Sequence, residues 1–276
     1  MKQKKLRVGS IPKWIILTCV LLVIVVPVLW IFLSAFKPKA EILRYPPTFF
    51  PTQFSLQNFQ TLFKKMPMMT YIKNSFIYVA LLVVTQVIID SLAGYAFARM
   101  EFKGKNFLFT IILASMMIPF QVIMIPLFLE CTIMGIVNTY TGLILPRMIN
   151  VTCLFMMRSF FITLPKSLEE AGRLDGLSEF GIFFRIMAPQ CVPIIITHVV
   201  LSFSLGWNDL LWPLLMTSSK TKRMLANGLS GFVGAEATEY GPAFAGAVVS
   251  IVPALVLYLL GQKYFVNSVV SSSVKE

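Results

Sequence analysis

Predominantly apolar runs recur along the chain at 14–36, 75–98, 107–129, 141–164, 189–217 and 240–262, separated by shorter polar stretches. A helix rises about 1.5 Å per residue, so each run is long enough to cross a hydrocarbon core of roughly 30 Å. The pattern predicts an all-α integral membrane protein with six transmembrane helices. The longest connection, "KPKAEILRYPPTFFPTQFSLQNFQTLFKKMP", holds Pro38, Pro46, Pro47, Pro51 and Pro67. These exclude a continuous helix and predict irregular structure with a short helix over 58–65. Between the fourth and fifth runs, 165–189 is amphipathic and charged. Ser167 and Glu170 have the spacing of a capping box, which predicts a two-turn helix with Leu168, Ala171 and Leu174 on one side. Gly176 is placed to close that helix in the left-handed conformation. Ser178 is placed to cap a second short helix bearing Phe180, Phe183, Phe184 and Met187.

Breakers inside the runs refine the picture. Pro119 and Pro126 predict a bent third span, and Gly206 with Pro213 predict a break in the fifth. Charged groups within spans are costly unless paired or hydrated, so Asp90, Arg147, Arg158, His198 and Asp209 each require a reason. Arg147 and Arg158 are eleven positions apart, about three turns, and would share a face of span four. That face either points at protein or water, or the two side chains snorkel, Arg158 to the inner headgroups and Arg147 to the outer ones; snorkelling is the expectation. Asp90 reads as a structural hydrogen-bonding group, and His198 as a packed or pore-lining residue. The stretch "GWNDLLWP" places Trp207, Asn208, Asp209 and Trp212 at the expected break. Aromatic faces with amide and carboxylate groups suit a substrate path or gate. An outer aromatic belt with helix-tying polar groups accounts for the same residues.

Composition agrees with a membrane protein: of 276 residues, 57% are hydrophobic and 13% charged. The net charge of +12 is spread between apolar runs and forms no basic face, which argues against nucleic acid as a partner. With the N-terminus inside, the inner connections carry 13 Lys and Arg and the outer ones 9, so both termini are expected in the cytoplasm. The basic start "MKQKKLR" resembles a signal peptide. The apolar run after it is too long for a cleaved one, which predicts a retained signal anchor. The expected organisation is a basic cytoplasmic N-terminus at 1–13, one transmembrane domain at 14–264 and a cytoplasmic tail at 265–276. Cys19, Cys131, Cys153 and Cys191 are widely spaced, so neither disulfides nor a metal site are expected. No nucleophile and base share a catalytic spacing, and no phosphate-binding GxxxxGK[ST] loop occurs, so an enzyme is not expected.

By physics alone, 165–189 is either a surface helix pair or a docking knob. "EAGRLDGLSEFGIFFRIMAP" resembles the EAA loop of ATP-binding-cassette importer permeases, which runs E-A-A, two residues, D-G-A, eight residues, I-x-L-P. Glu170, Ala171, Asp175, Gly176, Ile186 and Pro189 match it; Gly172, Leu177 and Ala188 depart from it. "FKPKAEILRYPPTFFP", "NSFIYV", "GYAFARMEFKGK", "SFSLGWNDLLWPL" and "QKYFV" are similar, in order, to the maltose-type branch that imports sugars. The tail "NSVVSSSVKE" replaces the glycines usual there. The resemblance implies a cytoplasmic coupling loop in which Glu170, Ala171, Gly172, Arg173, Asp175, Gly176, Ile186 and Pro189 engage an ATPase. It also implies a second permease subunit, two ATPase subunits carrying ATP and Mg, an extracytoplasmic solute-binding protein, and a bacterial inner membrane. No cofactor is expected on this chain. A glycerol phosphoester is the alternative solute, and an ion-coupled secondary transporter the alternative mechanism.

Overall fold

The computed structural model describes residues 11–233 and 239–273, with side chains over 13–233 and 239–262. Its helices, in chain order, are α1 (Ile11–Ser34), α2 (Lys39–Ile42), α3 (Gln57–Lys65), α4 (Met68–Arg99), α5 (Lys105–Ser115), α6 (Phe120–Ile133), α7 (Tyr140–Ile144), α8 (Val151–Thr163), α9 (Ser167–Leu174), α10 (Glu179–Ile182), α11 (Ala188–Gln190), α12 (Val192–Trp207), α13 (Leu211–Met216), α14 (Leu225–Ser230) and α15 (Tyr240–Ser273). A 3-10 turn over Leu145–Arg147 follows α7, and a π-helical turn over Phe183–Met187 joins α10 to α11. Among the described residues, three helices are single pieces long and apolar enough to cross a membrane, and three bent helix pairs bring the number of spans to as many as six.

The bends have chemical causes. The third run breaks by 100° between α5 and α6. Pro119 is the residue before α6, and a proline disfavours helix in the residue that precedes it. Pro126, also expected to bend this span, lies inside α6. The fourth run bends by 50° between α7 and α8. Pro146 has no N–H to continue α7, and Asn150 restarts the chain as α8 by accepting the Cys153 N–H at 3.3 Å. Arg147 and Arg158 therefore lie on either side of a bend and do not share one helix face. The fifth run ends at Trp207 and resumes at Leu211 as α13, with Pro213 at that helix's third position. Two boundaries depart furthest from the sequence expectation. α4 begins at Met68, directly after Pro67, and α15 runs on to Ser273 because no glycine or proline follows Gly261 to stop it.

The chain packs as two compact units, Met1–Met68 with Leu229–Val252 and Met69–Gly228 with Pro253–Glu276. In the first, the proline-rich segment after α1 is folded around buried polar groups. Glu41 accepts the hydroxyls of Thr48 at 2.6 Å and Thr52 at 2.8 Å, and the Thr52 N–H at 2.9 Å. The hydrogen bond from the Thr48 hydroxyl, joined by those from Thr52, outweighs the opposing effect of burial and holds the Glu41 carboxyl below its ordinary range. Lys37 is buried, donates to the Thr48 carbonyl and lies 4.3 Å from the Trp30 ring centroid. The Asn58 amide on α3 donates to the carbonyls of Ala35 at 2.9 Å and Lys37 at 2.8 Å, satisfying acceptors left open where α1 ends.

The second unit carries both sequence-marked clusters. Its core at one end joins Tyr95 on α4, Met157 and Phe161 on α8, and Ile182, Phe183, Met187 and Cys191 on the 179–191 arm. Tyr95 meets Phe161 edge-on at 5.5 Å and Phe183 at 5.4 Å. That aromatic contact fixes the amphipathic segment onto two apolar helices.

Candidate functional site

The segment after α8 folds as helix, glycine turn and helix. Asp175 is the C-cap of α9, and Gly176 follows at φ 76°, a backbone conformation in which a side chain would be strained. The Gly176 N–H donates to the Arg173 carbonyl at 3.1 Å and the Leu177 N–H to the Gly172 carbonyl at 3.0 Å, the paired bonds of a Schellman close. Ser178 then caps α10 by accepting the Gly181 N–H at 3.2 Å. The start differs from expectation. Lys166, not Ser167, is the N-cap of α9 and no side-chain cap bond forms, because the turn at Pro165 starts the helix one residue early.

The buried face of α9 also differs. Glu169 and Gly172 are buried and Leu168 half-buried, while Ala171 and Leu174 face outward, Leu174 with 89% of its surface exposed. Glu170, Ala171, Arg173, Asp175, Gly176 and Pro189 are exposed, Ile186 is half-buried and Gly172 buried. A Cβ built on Gly172 would lie 2.7 Å from Ile186 Cδ1 and 3.0 Å from Ile182 Cγ1. The glycine is thus a point of close approach between the two arms. Phe180 and Phe184, both largely exposed, complete an outward surface that is part apolar and part charged.

From this surface inward runs a circuit of side chains that α4 closes. Arg99 Nε meets Glu169 Oε1 at 3.1 Å, too obliquely for a hydrogen bond, and its other arm donates to the Leu164 carbonyl at the end of α8. Glu169 Oε2 faces Arg173 at 3.8 Å. Arg173 Nε donates to Glu179 Oε1 at 2.9 Å, and the Tyr95 hydroxyl donates to Glu179 Oε2 at 3.3 Å. The Arg173 hydrogen bond holds the Glu179 carboxyl below its ordinary range.

At the break in the fifth run, the four marked residues part company. Trp207 is buried, stacked on Phe203 at 5.5 Å and tilted against Phe76 at 4.9 Å. Trp212 is fully buried, donates its indole N–H to the Leu143 carbonyl at 3.0 Å and meets Phe120 edge-on at 5.7 Å. Asn208 is exposed and caps α12 by donating to the Ser204 carbonyl at 2.8 Å. Asp209 is ion-paired with Arg147 and accepts the Tyr78 hydroxyl at 3.1 Å. Arg147 also lies 4.7 Å from the Phe120 ring, so it is held inside the unit and does not snorkel. Arg158 is half-buried, donating to the Phe97 carbonyl at 3.2 Å and lying over the Phe109 ring at 4.1 Å, beside the 101–107 loop.

Asp90 is fully buried and accepts the Asn150 N–H with both oxygens at 3.2 Å. It thereby satisfies a backbone donor freed at the bend between α7 and α8, the structural part expected of it. His198, also fully buried, stands 3.2 Å from the same carboxylate.

The model of a family described as "Binding-protein-dependent transport system inner membrane component" matches residues 90–269, a stretch that holds both clusters. The chain belongs to this family of transport permeases. It is 36% identical over 276 residues to the probable ABC transporter permease protein YurM of Bacillus subtilis, covering 99% of this chain and 91% of that one. It is also 36% identical over 254 residues to the arabinooligosaccharides transport system permease protein AraQ of Halalkalibacterium halodurans, covering 91% of each. A chain of a bacterial ABC transporter involved in the import of the acidic polysaccharide alginate superposes with a TM-score of 0.84 at 22% identity, over 96% of this chain and 99% of that one. That likeness establishes the all-helical permease fold.

In this permease, sequence reasoning passed over Glu169, Arg99, Tyr95 and Tyr78. A signal for Glu169 was present: it stands three positions before Gly172, so the two share a helix face, and a glycine inside a helix marks a close approach. Nothing in sequence pairs Arg147 with Asp209 or His198 with Asp90, since those contacts join residues 62 and 108 positions apart (209 − 147; 198 − 90).

Proposed function

We propose that this permease is one of two membrane subunits of a bacterial ATP-driven, binding-protein-dependent importer of sugars or oligosaccharides. The observation that carries the reading is the glycine-closed pair of helices at 167–190. Its exposed Glu170, Arg173, Leu174, Asp175, Phe180 and Phe184 offer charge and apolar anchors on a knob fixed to α4 and α8. Such a knob suits a cleft in an ATPase subunit that carries ATP and Mg. Glu170, Ala171, Arg173, Asp175, Gly176 and Pro189 supply the contact surface, and Gly172 and Ile186 set its shape. Closure of two ATPases would pull on the knob and reorient the helices between outward and inward access. The knob and both termini then lie in the cytoplasm, and a solute-binding protein delivers solute from the other side. A second, related permease completes the path; this chain carries no cofactor. The 36% identical relative named for arabinooligosaccharides supports an oligosaccharide as cargo. Within the 207–212 cluster Asn208 is the proposed path-facing group, while Trp207, Trp212 and the Asp209–Arg147 pair hold the break in shape.

The test is ATP hydrolysis by the complex reconstituted with its partner permease, ATPase and binding protein. Hydrolysis should rise with binding protein loaded with an oligosaccharide, and should not rise with a glycerol phosphoester in its place. Uptake that follows an ion gradient without any ATPase would end this reading.

A further inference from the structure

We propose that α4 is a third handle on the coupling segment, gripped by the circuit of Arg99, Glu169, Arg173, Glu179 and Tyr95, with Glu169 as its positioning residue. The inference rests on the function proposed above. By chain continuity the helix pair can pass motion only to α8, which precedes it, and to α12, which follows it. The side chains add a connection that continuity does not supply. Tyr95 and Arg99 are one turn apart on α4, and each reaches a different arm: Arg99 the first helix through Glu169, and Tyr95 the second through Glu179. Arg173 closes the circuit between the arms, at 3.8 Å from Glu169 and 2.9 Å from Glu179.

The burial is unequal, and that assigns the roles. The side chains of Arg99 and Glu169 are each only 6% exposed, whereas those of Arg173 and Glu179 are 49% and 40% exposed. Removing one partner of a buried ion pair leaves the other charge buried and uncompensated, so loss of Glu169 is the change that frees α4 from the knob. Arg99 also binds the Leu164 carbonyl, which places the end of α8 on the same guanidinium. Three helix ends therefore meet at one charge. α4 in turn carries Tyr78, which holds Asp209 at the break in the fifth run, and Asp90, which holds the bend in the fourth. A displacement of the knob that α4 follows would be delivered to both breaks.

The experiment uses the complete reconstituted complex and measures solute moved per ATP hydrolysed, normalised to assembled complex. Glu169→Gln keeps the shape and removes the charge. It should lower the ratio about fivefold or more, the lower end of ordinary coupling between sites, while hydrolysis without solute continues at the unsubstituted rate. Glu169→Asp should restore most of the ratio. Tyr95→Phe keeps the aromatic core and removes only the hydroxyl, and should lower the ratio in the same direction by about twofold. An unchanged ratio in both Glu169→Gln and Tyr95→Phe overturns the proposal. If Glu169→Gln fails to assemble, Tyr95→Phe decides alone, and an unchanged ratio there overturns it. If the unsubstituted complex shows no ATP-driven uptake, the function proposed above falls and the handle falls with it.

Discussion

Gly172 shows how one methyl group can matter at a helix crossing. By propensity alone, alanine there should stabilise α9 by about 1 kcal/mol. The added Cβ would press on Ile186 Cδ1 at 2.7 Å, a chain end that can turn aside only in part because the fully buried Ile182 Cγ1 also stands at 3.0 Å, so the packing cost exceeds the gain. Gly172→Ala is expected to lower the thermal midpoint of the purified protein, and Gly172→Ala with Ile186→Val to recover it. The Arg147 and Asp209 pair makes a second residue-scale case. Their side chains are 21% and 9% exposed, so Asp209→Ala strands a mostly buried guanidinium at a cost of about 3 kcal/mol. Arg147→Met combined with Asp209→Leu should cost less than Asp209→Ala alone, as read by the temperature at which each variant aggregates after solubilisation. Charge alone marks Asp90 in the sequence, and the Asn150 N–H that it accepts is a backbone group that no side-chain pattern announces.

At the scale of elements, local chemistry was legible wherever one residue sets a backbone angle. Gly176 closes α9, Ser178 caps α10, Pro119 breaks the third run, and α3 falls where the proline-free stretch allowed it. The capping box at Ser167 failed because its spacing is satisfied in sequence while the preceding proline turn moves the cap to Lys166. The bend in the fourth run went unread because Pro146 acts together with Asn150, whose N–H is satisfied only by Asp90 from another helix. The pairing of Arg173 with Glu179 gives a pH test of the helix turn itself. The folded carboxyl titrates below its unfolded value. Its contribution is therefore complete above the ordinary carboxylate range and is lost as pH falls through the folded value. Amide exchange across 167–187 should accelerate as pH is lowered through that interval, after correction for intrinsic rates, and Glu179→Gln should remove the pH-dependent part.

For the molecule as a whole, six apolar runs and the distribution of Lys and Arg predict the crossing pattern, and the orientation is open to a direct check. In a Cys19→Ser background, a cysteine at Lys103 should react with a membrane-impermeant maleimide only after the membrane is opened. A cysteine at Lys220 should react from outside. The opposite result would invert the proposed orientation and put the 167–190 knob on the wrong side for an ATPase. The sequence by itself determined the class, the helices and the glycine-closed pair, because hydrophobic period, helix breakers and caps act within a few residues of chain. Tertiary structure alone decided which charges are paired, which tryptophans are buried, and that Glu169 faces inward beside Arg99. Those outcomes depend on groups brought together from helices distant in sequence, where burial sets the cost of leaving a charge or a backbone donor without a partner.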